Sequence, residues 1–168
     1  EVTLDAKIEA EPIAERIEQV YLDRGVIRAG EPFKVSVRLR RDSDGSLDYE
    51  TFQVQTPRTW AGSDVELYAA SSYGAESVAA KVSGPVRPRK IEQIARYLNK
   101  RRGDGYVYLM AVRKGAGLST EVDSYAFLPP SAVATLAAGS PFASSTRAGL
   151  AWEDRKPRPG VVTGGAKL

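Results

Sequence analysis

The sequence predicts a mainly β protein: an immunoglobulin-like antiparallel β-sandwich over residues 1–83, followed by a smaller α/β part over residues 84–168. Three observations predict it. Short segments alternate apolar and polar residues with the period of a half-buried strand, and turn residues punctuate them at short intervals. After Ser83-Gly84-Pro85 the pattern shifts to helical spacing followed by an apolar strand.

The first expected strand covers residues 2–10, with Val2, Leu4, Ala6, Ile8 and Ala10 on one face and Thr3, Asp5, Lys7 and Glu9 on the other. A second covers residues 17–22 and gives way to Gly25 and the turn Ala29-Gly30-Glu31-Pro32. Over residues 33–40 the alternation is clearest, with Val35, Val37 and Leu39 inward and Lys34, Ser36, Arg38 and Arg40 outward. Asp42-Ser43-Asp44-Gly45 ends it, since Asp and Ser bond nearby backbone and Gly accepts a positive φ. Strands over residues 49–55 and 64–70, separated by Thr56-Pro57-Arg58, complete the sandwich pattern.

In the second part, Ile91, Ile94, Ala95 and Leu98 predict a helix over residues 88–101, with Pro88 tolerated in its first turn. Gly103-Asp104-Gly105 ends that helix. The strand over residues 106–113 is apolar on both faces, Tyr106, Tyr108, Met110 and Val112 against Val107, Leu109 and Ala111, which predicts a central strand covered on both sides. Gly115-Ala116-Gly117 reads as a turn, and Leu128-Pro129-Pro130 leads into a helix over residues 131–138 with Ser131 as its N-cap. Residues 150–168 read as one or two strands around a loop at Lys156-Pro157-Arg158-Pro159-Gly160. Proteolysis is expected first near residues 83–88 or 155–160.

Composition narrows the chemistry. A chain of 168 residues can bury roughly two-thirds of its surface on folding, and 42% hydrophobic with 27% charged residues is the balance of a globular protein. No apolar run reaches the roughly 18 residues that span a bilayer. The sequence holds no His and no Cys, which removes imidazole bases, thiolate nucleophiles, disulfides and nearly all zinc or copper ligand sets. Neither a cofactor nor a metal is expected, and no catalytic residue is assigned. The net charge of +3, from 24 basic and 21 acidic residues, does not by itself imply nucleic acid. A start at Glu1 rather than Met predicts a processed or excised piece of a longer protein.

Several residues stand out as candidates. Arg87, Arg89, Lys90, Arg96, Lys100, Arg101 and Arg102 form a basic surface with Tyr97, Tyr106 and Tyr108 close in sequence. The charges spread over the polar side of the predicted helix instead of forming a stripe, which favours a solvated face over a nucleic-acid surface. Trp60, Tyr68 and Tyr73 are the candidate ligand-binding residues, as a stacking platform for sugars, against core or edge packing. Asp42 with Asp44, and Glu153 with Asp154, are carboxylate pairs, but Asp-x-Asp-Gly lacks the further ligands of a calcium loop and reads as a turn. Ser131 has neither a His nor a nearby Lys to activate it, and Gly164-Gly165 lacks the context of a phosphate cradle.

Taken in order, these features resemble the non-catalytic region that follows the peptidase domain in bacterial proteins of the SpoIVB-type serine peptidase family. The similar stretches are Tyr21-Leu22-Asp23, Ala29-Gly30-Glu31-Pro32 with Val35-Ser36-Val37-Arg38-Leu39-Arg40, and Leu98-Asn99-Lys100-Arg101-Arg102 before the Tyr106 strand. Leu128-Pro129-Pro130-Ser131 and Gly164-Gly165-Ala166-Lys167-Leu168 complete them. The resemblance implies an exported or cell-envelope bacterial protein whose catalytic unit lies upstream, and it carries no catalytic residue onto this chain. The expected function is a non-catalytic accessory or interaction module adjacent to a serine peptidase domain, with a protein partner. The alternatives are a cell-envelope or carbohydrate-binding module, or an oligomeric structural subunit joined through strand edges.

Overall fold

In the computed structural model, which describes residues 13–84, 90–120, 124–139 and 143–168, the alternating segments become an antiparallel meander of β1 (Ala14–Leu22), β2 (Pro32–Arg41) and β3 (Leu47–Gln55). Alternation sets the faces as the sequence predicts: Val35, Val37 and Leu39 are fully buried, while Lys34 and Arg40 are exposed. Between β2 and β3 the chain turns at Gly45, at φ +69°, and the Asp44 carboxylate accepts the Ser46 N–H at 2.9 Å. The strand expected over residues 2–10 lies outside the described residues.

A short 3₁₀ turn at Arg58–Trp60 leads to β4 (Val65–Ala70), and β4 runs directly into α1 (Ser72–Ser83). This helix was not expected within residues 1–83. Its local causes are legible afterwards: the Ser71 hydroxyl caps the N-terminus by accepting the Gly74 N–H at 3.3 Å, and Ala75, Val78, Ala79 and Val82 recur at helical spacing.

The remaining elements are α2 (Ile91–Asn99), β5 (Tyr106–Ser119), β6 (Ser124–Tyr125), α3 (Pro130–Ala138), β7 (Ser144–Pro157) and β8 (Val161–Lys167). They confirm the helix and the apolar strand and correct two turns. Gly115-Ala116-Gly117 is not a chain reversal, for β5 continues through it with an irregular ladder between Lys114 and Gly117. Its glycines instead allow close approach: a Cβ at 115 would lie 2.6 Å from the Phe127 ring, and one at 117 would lie 2.6 Å from the Tyr125 carbonyl. Ser131 is not the N-cap of α3. Pro129 holds that position, Pro130 opens the helix, and the Ser131 carbonyl accepts the Thr135 hydroxyl at 3.0 Å.

The strands form one eight-stranded sheet with the path β3-β2-β1-β8-β4-β5-β6, and β7 pairs with the other edge of β5. All pairings are antiparallel except β1 with β8, which is parallel from Ala14↔Val161 to Ile17↔Gly164. That pair departs from the antiparallel layout expected. It arises because β8 returns between β1 and β4 instead of pairing with its sequence neighbour β7. Strands from both sides of residue 84 therefore share one sheet. Phe52 and Val54 of β3 and Val107, Leu109 and Ala111 of β5 meet in a single core. On the opposite face of β5, Tyr108, Met110 and Val112 pack with Ala75 and Val78 of α1. β5 is thus covered on both sides, as its two apolar faces predict, each fully buried large side chain contributing roughly 1.5–3 kcal/mol.

The turn between β7 and β8 is held from below by charge. Glu15 on β1 is 1% exposed and receives two bonds from the Arg158 guanidinium, at 2.7 Å and 2.8 Å. Arg158 also donates to Glu50 at 3.1 Å and to Asp48, both on β3. Lys156 adds bonds to the Glu50 carboxylate at 2.9 Å and to the Thr51 carbonyl at 2.6 Å. The segment that reads as an open loop is therefore a latch between β7, β1 and β3.

Arg158→Ala leaves Glu15 buried without its cation, and urea denaturation is expected to show a loss of about 3 kcal/mol or more. Limited proteolysis of the native protein should spare residues 155–160, whereas the same variant should be cut there. The Arg158 guanidinium holds the Asp48 carboxyl below its ordinary value. A depressed folded pKa adds stability above the unfolded value and loses it as pH falls through the folded one. Native stability should thus decline below about pH 4, and less steeply in Arg158→Ala when both are titrated by circular dichroism. At Gly160 a Cβ would sit 1.9 Å from the Ile13 carbonyl, so Gly160→Ala should cost about 2 kcal/mol in the same assay.

Candidate functional site

The connector between α2 and β5, Arg102-Gly103-Asp104-Gly105, is fixed at every residue. The Arg102 guanidinium grips Glu153 of β7 through two bonds, at 2.9 Å and 2.6 Å, and reaches Glu76 of α1 at 3.2 Å. The Glu153 carboxylate beside it raises the Arg102 pKa above its ordinary value, so the residue is a permanent cation. The buried Tyr108 hydroxyl donates to the Gly103 carbonyl at 3.1 Å, and the Arg102 guanidinium lies 6.0 Å from that ring's centre. The Ser72 hydroxyl donates to Asp104, while the Arg158 N–H donates to the Gly105 carbonyl at 2.8 Å.

These bonds hold the C-terminal end of α2 away from α1 and β7 and leave a groove of about 1080 Å³ between them. Ala79, Ala80 and Leu150 give it apolar lining, and the Arg102 ion pairs cross it. Tyr73, Tyr97, Lys100, Arg101 and Arg155 line it as exposed residues, Tyr73 being 85% exposed. The Arg155 guanidinium stacks 4.7 Å from the centre of the Tyr106 ring. Charges of both signs thus surround an apolar surface, and the most buried cation, Arg102, is paired with two carboxylates.

The groove contains only part of what the sequence singles out. Tyr73, Lys100, Arg101 and Arg102 line it, with Arg102 serving as its internal brace. Trp60 packs half-buried against the core that Phe52 and Leu109 share, whereas Tyr68 packs with Tyr108 on the opposite side of the sheet. They do not form a common platform with Tyr73. The Tyr68 hydroxyl donates to Glu66 at 2.6 Å with the Lys167 ammonium 5.4 Å from its ring centre, and burial pushes its phenol pKa up. Lys90 is exposed just before α2, Arg96 lies on α2, and Arg87 and Arg89 lie outside the described residues.

A scan of family models gives no match to this chain, and neither curated proteins nor solved structures give one.

The carboxylate pairs separate in the same way. Glu153 faces Arg102, while Asp154 accepts the Arg155 N–H at 2.8 Å. Asp44 serves the β2–β3 turn, and Asp42 lies 3.7 Å from Arg16. Among the described residues, no group of three or more Asp or Glu side chains converges as a metal site. Sequence reasoning missed Glu76, Glu153 in its role as brace, and Arg155. Glu76 was hidden because α1 was not foreseen, and the other two become neighbours of the groove only through the β5–β7 ladder.

Arg102→Ala should cost about 3 kcal/mol in urea denaturation, because Glu153 and Glu76 lose their shared cation. Tyr73→Ala should remain within about 0.5 kcal/mol of the native protein, which separates the brace from the exposed lining.

Proposed function

We propose that the chain is a non-catalytic interaction module and that the groove braced by Arg102 docks a polypeptide segment of a protein partner. The observation that carries this reading is the groove's construction: apolar lining, exposed Tyr73 and Tyr97, and exposed cations around the Arg102 ion pairs. An apolar surface with a mixed polar rim suits a peptide, whose backbone and side chains offer both kinds of contact. A rigid sheet beneath exposed residues keeps the entropic cost of binding low.

The resemblance to the region after SpoIVB-type peptidase domains supports placing the module beside a serine peptidase in an exported or envelope protein. On this reading the docked segment belongs to that peptidase or to an envelope partner. The core shared by β3 and β5 supports use of the body as a sandwich-like scaffold, in layout akin to immunoglobulin-like modules, although β1 and β8 pair in parallel.

Peptides selected from a random display library against the intact chain, then titrated calorimetrically, test the proposal. Tyr73→Ala and Lys100→Glu should each weaken binding about tenfold, the effect of losing one good contact. Tyr49→Ala, on the outer strand β3, should leave it unchanged. Peptides insensitive to both groove variants would overturn the groove assignment. Weakening by Tyr49→Ala alone would point to strand-edge association, and glycan binding abolished by Trp60→Ala would point to the carbohydrate reading.

A further inference from the structure

Ile91, Ile94, Ala95 and Leu98 of α2 share one helical face, the pattern that ordinarily packs against a core. Here the stripe is turned outward. Ile91 is 79% exposed, Leu98 55% and Ile94 41%, while Tyr97, on the flank, lines the groove. Local contacts bound the helix at each end. The Gln93 side chain accepts the Lys90 N–H at 3.1 Å at the start of the helix, and the braced Arg102 follows its end. The aliphatic side of this short helix is thus in water, at an unfavourable cost for each uncovered side chain.

Charge is concentrated on the same segment. Residues 87–102 hold seven of the chain's 24 basic residues and one of its 21 acidic ones, a net of +6, so the rest of the chain carries −3. Arg102 is occupied by Glu76 and Glu153, whereas Lys90, Lys100 and Arg101 are exposed. Lys90 directly precedes α2 and Lys100 and Arg101 directly follow it, so exposed cations stand at both ends of the aliphatic stripe. Nucleic acid would engage the cations and leave Ile91 and Leu98 in water. The boundary between lipid headgroups and acyl chains satisfies both kinds of side chain at once.

We infer that α2 is a peripheral membrane contact that lies on an anionic phospholipid surface, with Ile91, Ala95 and Leu98 entering the acyl boundary and the surrounding cations meeting the headgroups. A few aliphatic side chains bind only marginally by themselves, so the anionic charge of the lipid is an essential second signal. The contact is superficial, since no described helix is long and apolar enough to cross a membrane. The inference stands apart from peptide docking, because Ile91, Ala95 and Leu98 are not among the residues that line the groove, to which α2 gives Tyr97 from the flank of the stripe.

Co-sedimentation of the intact chain with phosphatidylcholine vesicles, with and without phosphatidylglycerol, tests it. Binding is expected only to the vesicles containing phosphatidylglycerol, and it should fall severalfold between about 0.05 M and 0.5 M salt as screening grows. The double variant Ile91→Ser/Leu98→Ser and the variant Lys90→Glu should each weaken binding about tenfold or more, with unchanged circular dichroism because all three positions are exposed. Tyr73→Ala should bind vesicles normally. Because the chain has no Cys, Ala95→Cys accepts a single environment-sensitive fluorophore, whose emission should shift to the blue on the mixed vesicles. Failure to bind those vesicles at low salt overturns the inference. So does full binding by Ile91→Ser/Leu98→Ser, or retention of a single-stranded oligonucleotide or acidic peptide without vesicle binding.

Discussion

Glu15 sits on the first described strand of the sheet, almost wholly out of water, and is paired with the Arg158 guanidinium delivered from the turn between β7 and β8. A carboxylate at that depth is tolerable only when both oxygens are bonded to a cation, and the two short bonds from Arg158 supply this. Because Arg158 lies at the turn before β8, the pair also fixes where β8 enters the sheet. The parallel pairing with β1, the antiparallel pairing with β4, and the closure of β7 toward β3 all follow from that placement.

Arg102 repeats the device on a smaller scale. In both cases a guanidinium from a connecting segment bridges carboxylates on separate elements, and its forked geometry sets direction as well as distance. One pair closes the sheet and the other props α2 away from it. The second lies between two surfaces, the groove lined by Tyr97 and the exposed aliphatic stripe of α2. If both proposals hold, a peptide-docking module resting on a lipid surface would present its groove in a restricted orientation.

Strand alternation made β1 to β4 legible, and the two apolar faces of residues 106–113 disclosed that β5 lies between layers. These are local signals, and local structure obeyed them. α1 was obscured because its buried face is built from alanines and valines, whose pattern is weak beside the adjoining strand residues. Gly115 and Gly117 were misread because a glycine that admits a neighbour and a glycine that reverses the chain look alike in one dimension. Pairing between β1 and β8 joins positions nearly a full chain apart and leaves no sequence mark. For the site, the basic residues were visible, but not that Arg102 is paired with two carboxylates or that the apolar side of α2 faces outward. The pairing depends on Glu76 and Glu153, which only the tertiary fold brings beside Arg102.

The position of β8 also constrains the order of assembly. It leaves the ribosome after every strand it joins, yet it occupies the middle of the sheet, between the β1–β3 meander and the β4–β5–β7 unit. Until it arrives, the facing edges of β1 and β4 are open and Glu15 lacks its cation. The β1–β3 meander can pair early through short connections, whereas the seam between the two halves closes only once β8 has been made. Synthesis therefore passes through a stage with two exposed strand edges, the condition in which chaperones or early partners are most needed.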